Sequence, residues 1–327
     1  MLHIIGIESA NSYLKAKSAK QELCYINTTR KLKPKEIGMF SPFPQVFNYQ
    51  GTAYVTSEPY GNSSSGVDID RYKTEQFKRE IIFAVAQLVS SGDEVQLVTG
   101  LPVEDMHDQD IENVVKENLK GSHDVMINAD TKTFNIIDVK AIEQPLASLV
   151  YYMLDDKGKL RPERKMFESK RLLIIDIGFG TTDVVETVGL NPMKMKGIGI
   201  GLRNAMSDLE DLVKIKYPRI QGMPRGIELD YEIRHASKIL CGGETYDIKA
   251  EKEQAFQDTA DRIIEGVKDA GFAIKSYDRV VFTGGGTLAL REHLRDHLEG
   301  ANAVLLNHSQ MANAYGYYIY GGLKYNG

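Results

Sequence analysis

The segment 172–186, LLIIDIGFGTTDVVE, constrains the fold of this chain more than any other part of the sequence. Two runs rich in β-branched residues flank a carboxylate and two glycines, which predicts a buried strand, a tight turn and a second strand. Glycine lets the backbone approach a phosphate closely, and consecutive N–H groups in such a turn form an anion-binding nest. We therefore predict a phosphate-binding hairpin; the alternative is a plain hairpin whose glycines serve the turn alone. The residues expected at the phosphate are Gly178, Phe179, Gly180, Thr181, Thr182 and Asp183.

The carboxylate that ends the first of these strands, Asp176, has a different predicted role. A carboxylate repels a phosphate, but Mg²⁺ is commonly held by one or two carboxylates together with several waters. We therefore expect Asp176 to organise Mg²⁺ and to be required for catalysis.

A second glycine turn, Gly284 to Gly286, follows the apolar run RVVF and precedes a helix predicted from about Leu288 to Leu298. Glycines at a helix N-terminus offer N–H donors and the positive end of the helix dipole. We expect Gly284, Gly285 and Gly286 to contact a nucleoside and its α-phosphate, with a positive φ at Gly285. The alternative is an ordinary turn before a helix.

The N-terminal segment repeats the pattern of strand, turn and strand. An apolar run at 3–7 precedes a polar turn, and a second strand follows through Tyr13 and Leu14. If the two segments are duplicates, this turn reaches β- and γ-phosphates, Lys15 neutralises charge, and Glu8 is a second catalytic and metal-binding carboxylate. The alternative is a solvated hairpin. The turn residues expected at the phosphates are Ser9, Ala10, Asn11 and Ser12.

The length of 327 residues suits two domains. A polar stretch at 155–165 is the best boundary, so we predict one domain over 1–155 plus 314–327 and another over 156–313. The net charge of −5 argues against a general nucleic-acid coat. Two cysteines far apart in sequence favour a reduced compartment, and no window has the roughly 18 apolar residues of a membrane-spanning helix. We therefore expect a soluble, cytoplasmic protein without a membrane partner.

The three turns, in this order, resemble the phosphate-1, phosphate-2 and adenosine motifs of the superfamily that joins actin, DnaK-type chaperones and sugar kinases. Four further segments resemble the ParM/StbA group of plasmid-segregation actins. Glu8 and Ala10 depart from that group, which has Asp and Gly at these places. The four segments are Asp70–Lys78, Val98–Val103, Glu143–Pro145 and Asn313–Gly316.

The resemblance implies an α/β, actin-like two-domain fold in which each domain has a mixed sheet with flanking helices. ATP or GTP with Mg²⁺ would bind in the cleft between the domains. Gln144, the first residue of a helix predicted over 144–153, would orient the attacking water, although it can also be a simple helix cap. Arg234 and Lys238, four apart on a helix predicted over 227–240, would contact the ribose or base; a solvated helix face is the alternative.

The resemblance also implies an ATP hydrolase that polymerises into filaments and moves plasmid DNA through a DNA-binding adaptor, without binding DNA directly. Fold alone does not decide function. A monomeric small-molecule kinase and a chaperone-like nucleotide switch of the same superfamily remain as alternatives. A third is a non-hydrolysing structural actin, which the departures at Glu8 and Ala10 allow.

Overall fold

The computed structural model describes residues 1–36, 43–57, 69–103, 105 and 109–325. The chain divides into two compact units. Unit 1 comprises Met1–Pro162 and Met311–Gly327, and unit 2 comprises Glu163–Gln310.

Unit 1 is built on a nine-stranded mixed sheet with the strand order β3-β2-β1-β7-β9-β8-β5-β6-β4. Its central strands β1, β7 and β9 are parallel, so their carboxyl ends lie at one edge of the sheet. The strands are β1 (Leu2–Ser9), β2 (Tyr13–Lys17), β3 (Glu22–Ile26), β4 (Thr29–Lys31), β5 (Phe47–Tyr49), β6 (Thr52–Thr56), β7 (Asp93–Leu101), β8 (Gly121–Ile127) and β9 (Asp130–Glu143). The helices are α1 (Glu75–Leu88), α2 (Gln109–Leu119), α3 (Gln144–Met153) and α9 (Ala312–Tyr325).

Helix α1 forms where apolar residues recur at helical spacing. Thr74 caps it, because the Thr74 hydroxyl accepts a hydrogen bond from the Phe77 N–H at 3.1 Å. The buried face of α1 packs on the sheet, where the Phe83 and Phe47 rings stack at 4.7 Å. One charged residue, Glu80, lies on this buried face and is only 2% exposed.

Helices α3 and α9 pack closely against each other. A Cβ on Gly316 would lie 1.8 Å from the Ala147 carbonyl oxygen, so only glycine allows this approach. The Ser148 hydroxyl donates to Asn313 Oδ1 at 2.6 Å across the same contact. Helix α3 has the bounds predicted from the sequence and begins with Pro145 in its first turn, where its missing N–H has no cost.

Unit 2 contains a five-stranded sheet with the order β12-β11-β10-β15-β16 and a separate two-stranded hairpin. The parallel strands β10, β15 and β16 end at one edge, and β10 also pairs with β11 as an antiparallel hairpin. The strands are β10 (Arg171–Ile177), β11 (Thr182–Val188), β12 (Asn191–Ile198), β13 (Lys238–Cys241), β14 (Glu244–Asp247), β15 (Arg279–Thr283) and β16 (Ala303–Leu305). The helices are α4 (Leu202–Lys216), α5 (Ile227–Ile233), α6 (Lys249–Asp269), α7 (Gly285–Ala289) and α8 (Arg291–Leu294).

The helix predicted over 227–240 is wrong beyond Ile233. There the helix α5 ends, and Lys238 begins strand β13 instead. Gly242 and Gly243 both have positive φ and form a two-residue hairpin turn between β13 and β14. This turn favours strand rather than helix in the residues before it. Arg234 and Lys238 therefore do not share a helix face.

Two other predictions need correction. The helix expected from Leu288 begins at Gly285 and breaks at Leu290 into α7, α8 and a 3₁₀ turn. The stretch 34–66 is rich in Pro, Gly, Ser and Asn, which predicts loops and short edge strands. It contains the short strands β5 and β6, but neither is an edge strand, because each pairs on both sides. Residues 37–42 and 58–66 lie outside the described residues.

Candidate functional site

The turn between β10 and β11 is held from one side by helix α4. The carbonyl oxygens of Gly178 and Phe179 accept hydrogen bonds from the first N–H groups of α4, at 3.1 and 2.7 Å. In a trans peptide the C=O and the N–H point in opposite directions. The N–H groups of Phe179 and Gly180 consequently point away from α4, and no acceptor for either is found in the described part of the chain. The turn therefore presents two free N–H donors, as an anion-binding nest requires.

The contact between α4 and this turn leaves no room for a side chain at Gly201. A Cβ there would lie 2.8 Å from both the Gly180 carbonyl carbon and the Phe179 oxygen. Thr182 also stabilises the contact between α4 and the turn, because its fully buried hydroxyl donates to the Ile200 carbonyl at 2.8 Å. Thr182 thus has a structural role inside the turn. Thr181, the other threonine predicted as a hydroxyl donor, is more exposed.

Asp176 and Asp183 face each other across the β10–β11 pair. They are 5% and 3% exposed, and directly opposite residues of an antiparallel pair have side chains on one face of the sheet. Two like charges so placed repel each other, and a cation between or beside them relieves the repulsion.

The donor set fits a hydrated Mg²⁺ rather than a metal held by protein ligands alone. Among the residues that the structure describes, no group of three or more His, Cys, Asp or Glu side chains could hold a metal ion. Mg²⁺ needs only one or two carboxylates when water and phosphate oxygens supply the remaining ligands. The Asp176–Asp183 pair meets that requirement.

The three-glycine turn lies directly against this carboxylate pair. Gly284 has φ 88° and ψ 164°, and a Cβ there would lie 2.2 Å from Asp176 Oδ1. Our prediction of a positive φ at Gly285 is wrong, because the strained position is Gly284. A Cβ on Gly285 would meet only Gln310 Cγ at 3.9 Å, so the space at Gly285 is open.

A cavity of about 220 Å³ opens beside Gly285. Arg234 lines it, held by Asp230 Oδ2 at 2.9 Å and directed to Gln310 Oε1 at 3.4 Å. The structure thus brings together Arg234 and Gly285, which the sequence predicted as nucleoside contacts. Lys238 is not among the residues that line the cavity; it is exposed on strand β13.

The charges around this cavity are already compensated within unit 2. Burial raises the pKa of Asp230, and the adjacent Arg234 guanidinium opposes that rise. Burial lowers the pKa of Lys252, whose ammonium donates to the Ile233 and Ala236 carbonyls at the end of α5. The cavity therefore offers donors and an aromatic wall, from Phe256, rather than a strong net charge.

The turn between β1 and β2 also has free N–H donors. The Ala10 N–H donates to the Tyr13 carbonyl at 3.3 Å, and the Ser12 carbonyl accepts from the Asn27 N–H at 2.9 Å. No acceptor is found, among the described residues, for the N–H groups of Asn11 and Ser12.

Glu8 and Lys15 pair directly across these two strands. Lys15 Nζ lies 3.2 Å from Glu8 Oε1, and both side chains are less than 10% exposed. Glu8, predicted as a metal ligand, therefore has an ammonium group as its partner in this structure.

Three residues that the sequence analysis did not assign to the site hold the 9–12 turn. Arg71 donates to the Ser9 carbonyl and, at 3.0 Å, to Asn11 Oδ1. Glu80 accepts from the Ser9 hydroxyl at 2.6 Å, and Asn27 donates to Ala10 O at 2.7 Å. The one sequence signal was Glu80, a carboxylate on the apolar face of α1 that must have a partner.

Gln144 lies at the same sheet edge as the 9–12 turn. Strand β9 ends at Glu143, immediately before Gln144, and β9 runs parallel to β7 and β1. The carboxyl ends of parallel strands share an edge, so Gln144 and the turn after β1 are brought to one side of the sheet. Gln144 is partly exposed, as a residue that contacts water must be.

Both halves of the chain match family models of actin-like proteins. Residues 15–146 match the N-terminal domain of actin-like proteins, and residues 174–296 match the C-terminal domain of the archaeal actin homologue MreB-like. The chain therefore has an actin-like fold, and the actin-like fold predicted from the sequence is confirmed. No curated protein sequence matches the chain.

Solved structures agree over nearly the whole chain. Apo pSK41 ParM is 18% identical, with a TM-score of 0.73, and the match covers 99% of this chain and 98% of that one. The archaeal actin homologue Ta0583 in complex with ADP is 16% identical, with a TM-score of 0.77 and coverage of 97% and 98%. A ParM from Clostridium botulinum, solved as a 15-stranded filament, is 17% identical, with a TM-score of 0.76 and coverage of 98% and 99%. The predicted resemblance to ParM-type actins thus holds at the level of the fold.

Proposed function

We propose that this protein is an actin-like ATPase that binds a nucleoside triphosphate with Mg²⁺ and polymerises into nucleotide-dependent filaments. The observation that carries the proposal is the β10–β11 turn, where free N–H groups of Phe179 and Gly180 lie close in sequence to the buried Asp176–Asp183 pair. A phosphate group requires N–H donors, and the Mg²⁺ that accompanies it requires carboxylates. The ADP complex of the archaeal homologue supports nucleotide binding by this fold.

The individual roles follow from where each residue lies. The turn at 178–183 and the turn at 9–12 would bind phosphates through their N–H groups, with Lys15 as a nearby cation. Asp176 would hold Mg²⁺, which supplies charge neutralisation at the phosphates when bound. Gln144 would orient the attacking water by hydrogen bonds, since an amide has no useful basicity. Arg234 and the Gly284–Gly286 turn would hold the nucleoside at the cavity in unit 2.

Filament formation is the second part of the proposal. A ParM from Clostridium botulinum and Alp12 were both solved as filaments, which supports self-association of this chain. Repeated head-to-tail contacts that do not close into a ring give a filament. We propose a cytoplasmic filament that moves plasmid DNA through a DNA-bound adaptor, since a net charge of −5 provides no general attraction to DNA.

Sedimentation and negative-stain microscopy test the proposal. Purified protein with ATP·Mg²⁺ should pellet and form filaments, and without nucleotide it should stay in the supernatant. The Asp176→Asn variant is the matched control and should lose nucleotide-dependent pelleting. Absence of polymer at high protein concentration would leave the kinase or the nucleotide switch. Tight binding of naked DNA at roughly physiological salt, where non-specific Kd values are about 10⁻⁴–10⁻⁶ M, would remove the need for an adaptor.

A further inference from the structure

The side chains around the 9–12 turn form a closed hydrogen-bonded cluster, which we call the Glu80 cluster: Ser9, Asn27, Arg71 and Glu80. Glu80 Oε2 accepts from the Ser9 hydroxyl at 2.6 Å and from Asn27 Nδ2 at 3.1 Å. Arg71 lies 3.6 Å from the same carboxylate oxygen. Glu80, Asn27 and Ser9 are all at most 9% exposed, so this is a buried and charge-compensated arrangement.

The cluster reaches the backbone of the turn at two successive carbonyl groups. Arg71 binds the Ser9 carbonyl, and Asn27 binds the Ala10 carbonyl. Since the peptide between Ala10 and Asn11 is trans, fixing the Ala10 carbonyl toward Asn27 directs the Asn11 N–H away from Asn27. That N–H is one of the two donors of the turn without an acceptor in the described residues.

Arg71 also fixes the side chain of Asn11. It uses one terminal nitrogen for Asn11 Oδ1, at 3.0 Å, and the other for Ser9. Only a guanidinium presents two separate nitrogens in such a fixed fork, whereas an ammonium is a single point donor. Arg71 comes from the 3₁₀ turn Ile69–Lys73, so the cluster also connects that segment to the turn.

We propose that Arg71, Asn27 and Glu80 are positioning residues that pre-order the N–H groups of the 9–12 turn for the terminal phosphates of the nucleotide. None of the three is a catalytic residue, because each acts through the turn. The proposal rests on the proposed nucleotide-binding function for its consequence, but the ordering of the turn stands independently of any ligand.

Hydrogen exchange on the nucleotide-free protein tests the ordering directly. The Arg71→Lys variant keeps the charge and loses the two-nitrogen fork, so amide exchange at Ala10 and Asn27, whose N–H groups donate to the Tyr13 and Ser12 carbonyls of the turn, should accelerate by about tenfold or more. The matched control is Arg79→Lys, because Arg79 lies one residue before Glu80 on α1 and stacks on Tyr54 instead. Exchange at Ala10 and Asn27 that is equal in both variants and in wild type would overturn the proposal.

Nucleotide binding then tests the consequence. Arg71→Lys should weaken binding of ATP·Mg²⁺ by about tenfold and binding of ADP by less, because the turn serves the terminal phosphates. A purely structural role would lower both affinities equally, and that result would overturn the role of the cluster in phosphate binding. If Arg71→Lys does not fold, Glu80→Gln keeps an acceptor for Ser9 and removes the charge that faces Arg71, and the same two measurements apply.

The two failures are distinguishable. Wild-type protein that binds neither ATP nor ADP contradicts the proposed function, while the exchange measurement still decides whether Arg71 orders the turn.

Discussion

The three-glycine turn allows the candidate nucleoside site to be tested separately from the fold. Alanine at Gly285 adds a Cβ that meets only Gln310 Cγ at 3.9 Å, in ordinary van der Waals contact. Alanine is also the better helix former by up to about 1 kcal/mol, so we expect the melting temperature of Gly285→Ala to be unchanged or slightly raised. If the nucleoside approaches the backbone here, the added methyl group should lower nucleotide affinity by roughly tenfold, about 1.4 kcal/mol.

Alanine at Gly284, by contrast, should lower the stability of the fold. The conformation at φ 88° and ψ 164° is essentially restricted to glycine and costs other residues about 1–3 kcal/mol. A Cβ would also lie 2.2 Å from Asp176 Oδ1, and overpacking of this kind adds about 1–3 kcal/mol. The sum, about 2–6 kcal/mol, corresponds to a melting temperature lower by roughly 4–24 °C for a domain of this size.

Differential scanning calorimetry and equilibrium binding of a fluorescent ATP analogue separate the two effects. Gly284→Ala should lose stability, whereas Gly285→Ala should lose affinity alone. Unchanged affinity in Gly285→Ala would place the nucleoside elsewhere, and equal melting temperatures for the two variants would refute the steric reasoning.

Three further predictions concern hydrolysis and pH. Asp176→Asn should lower phosphate release by about 10²-fold or more without loss of melting temperature, because it removes one of two facing carboxylates; wild-type phosphate release from the folded variant would contradict the metal assignment. Gln144→Ala should slow phosphate release but spare nucleotide binding and assembly, so filaments followed by light scattering should persist longer; turnover as fast as wild type would argue against a role in orienting water. Burial lowers the pKa of His123, so below about pH 6.5 the unfolded chain binds more protons and stability is lost as pH falls through this window. His123→Gln should flatten that dependence in urea titrations at pH 5 to 8, and an unchanged slope would show that His123 does not cause it.

The sequence predicted the elements whose signals are local. Helix α3 has its predicted bounds because its apolar pattern, Pro145 and the preceding strand all act within a few residues. The β10–β11 hairpin was predictable for the same reason, since strand, glycine turn and strand are contiguous. The helix predicted over 227–240 was wrong beyond Ile233, because the Gly242–Gly243 hairpin turn favours strand in the residues before it.

The Glu80 cluster shows what local patterns cannot supply. Glu80 stands out as a charged residue on the apolar face of α1, but its partners Ser9 and Asn27 lie 71 and 53 residues away in sequence. Hydrogen bonds over such separations depend on how the strands and α1 pack, which periodicity does not encode. The 9–12 turn itself was therefore predictable from a local pattern, and the residues that fix its shape were not.

The β1–β2 and β10–β11 hairpins each place a pair of charged residues at the same position of the strand register, but the two pairs differ in charge. In the first hairpin Glu8 faces Lys15, and in the second Asp176 faces Asp183, in each case one pair before the last of the ladder toward the turn. The first hairpin thus carries the Glu8–Lys15 ion pair beside the turn, while the second places two buried carboxylates beside the turn. A phosphate group needs positive charge near it in both places. Under the proposed function the roles would divide at this one position: Lys15 would neutralise phosphate charge at the first turn, and Mg²⁺ held by Asp176 would do so at the second.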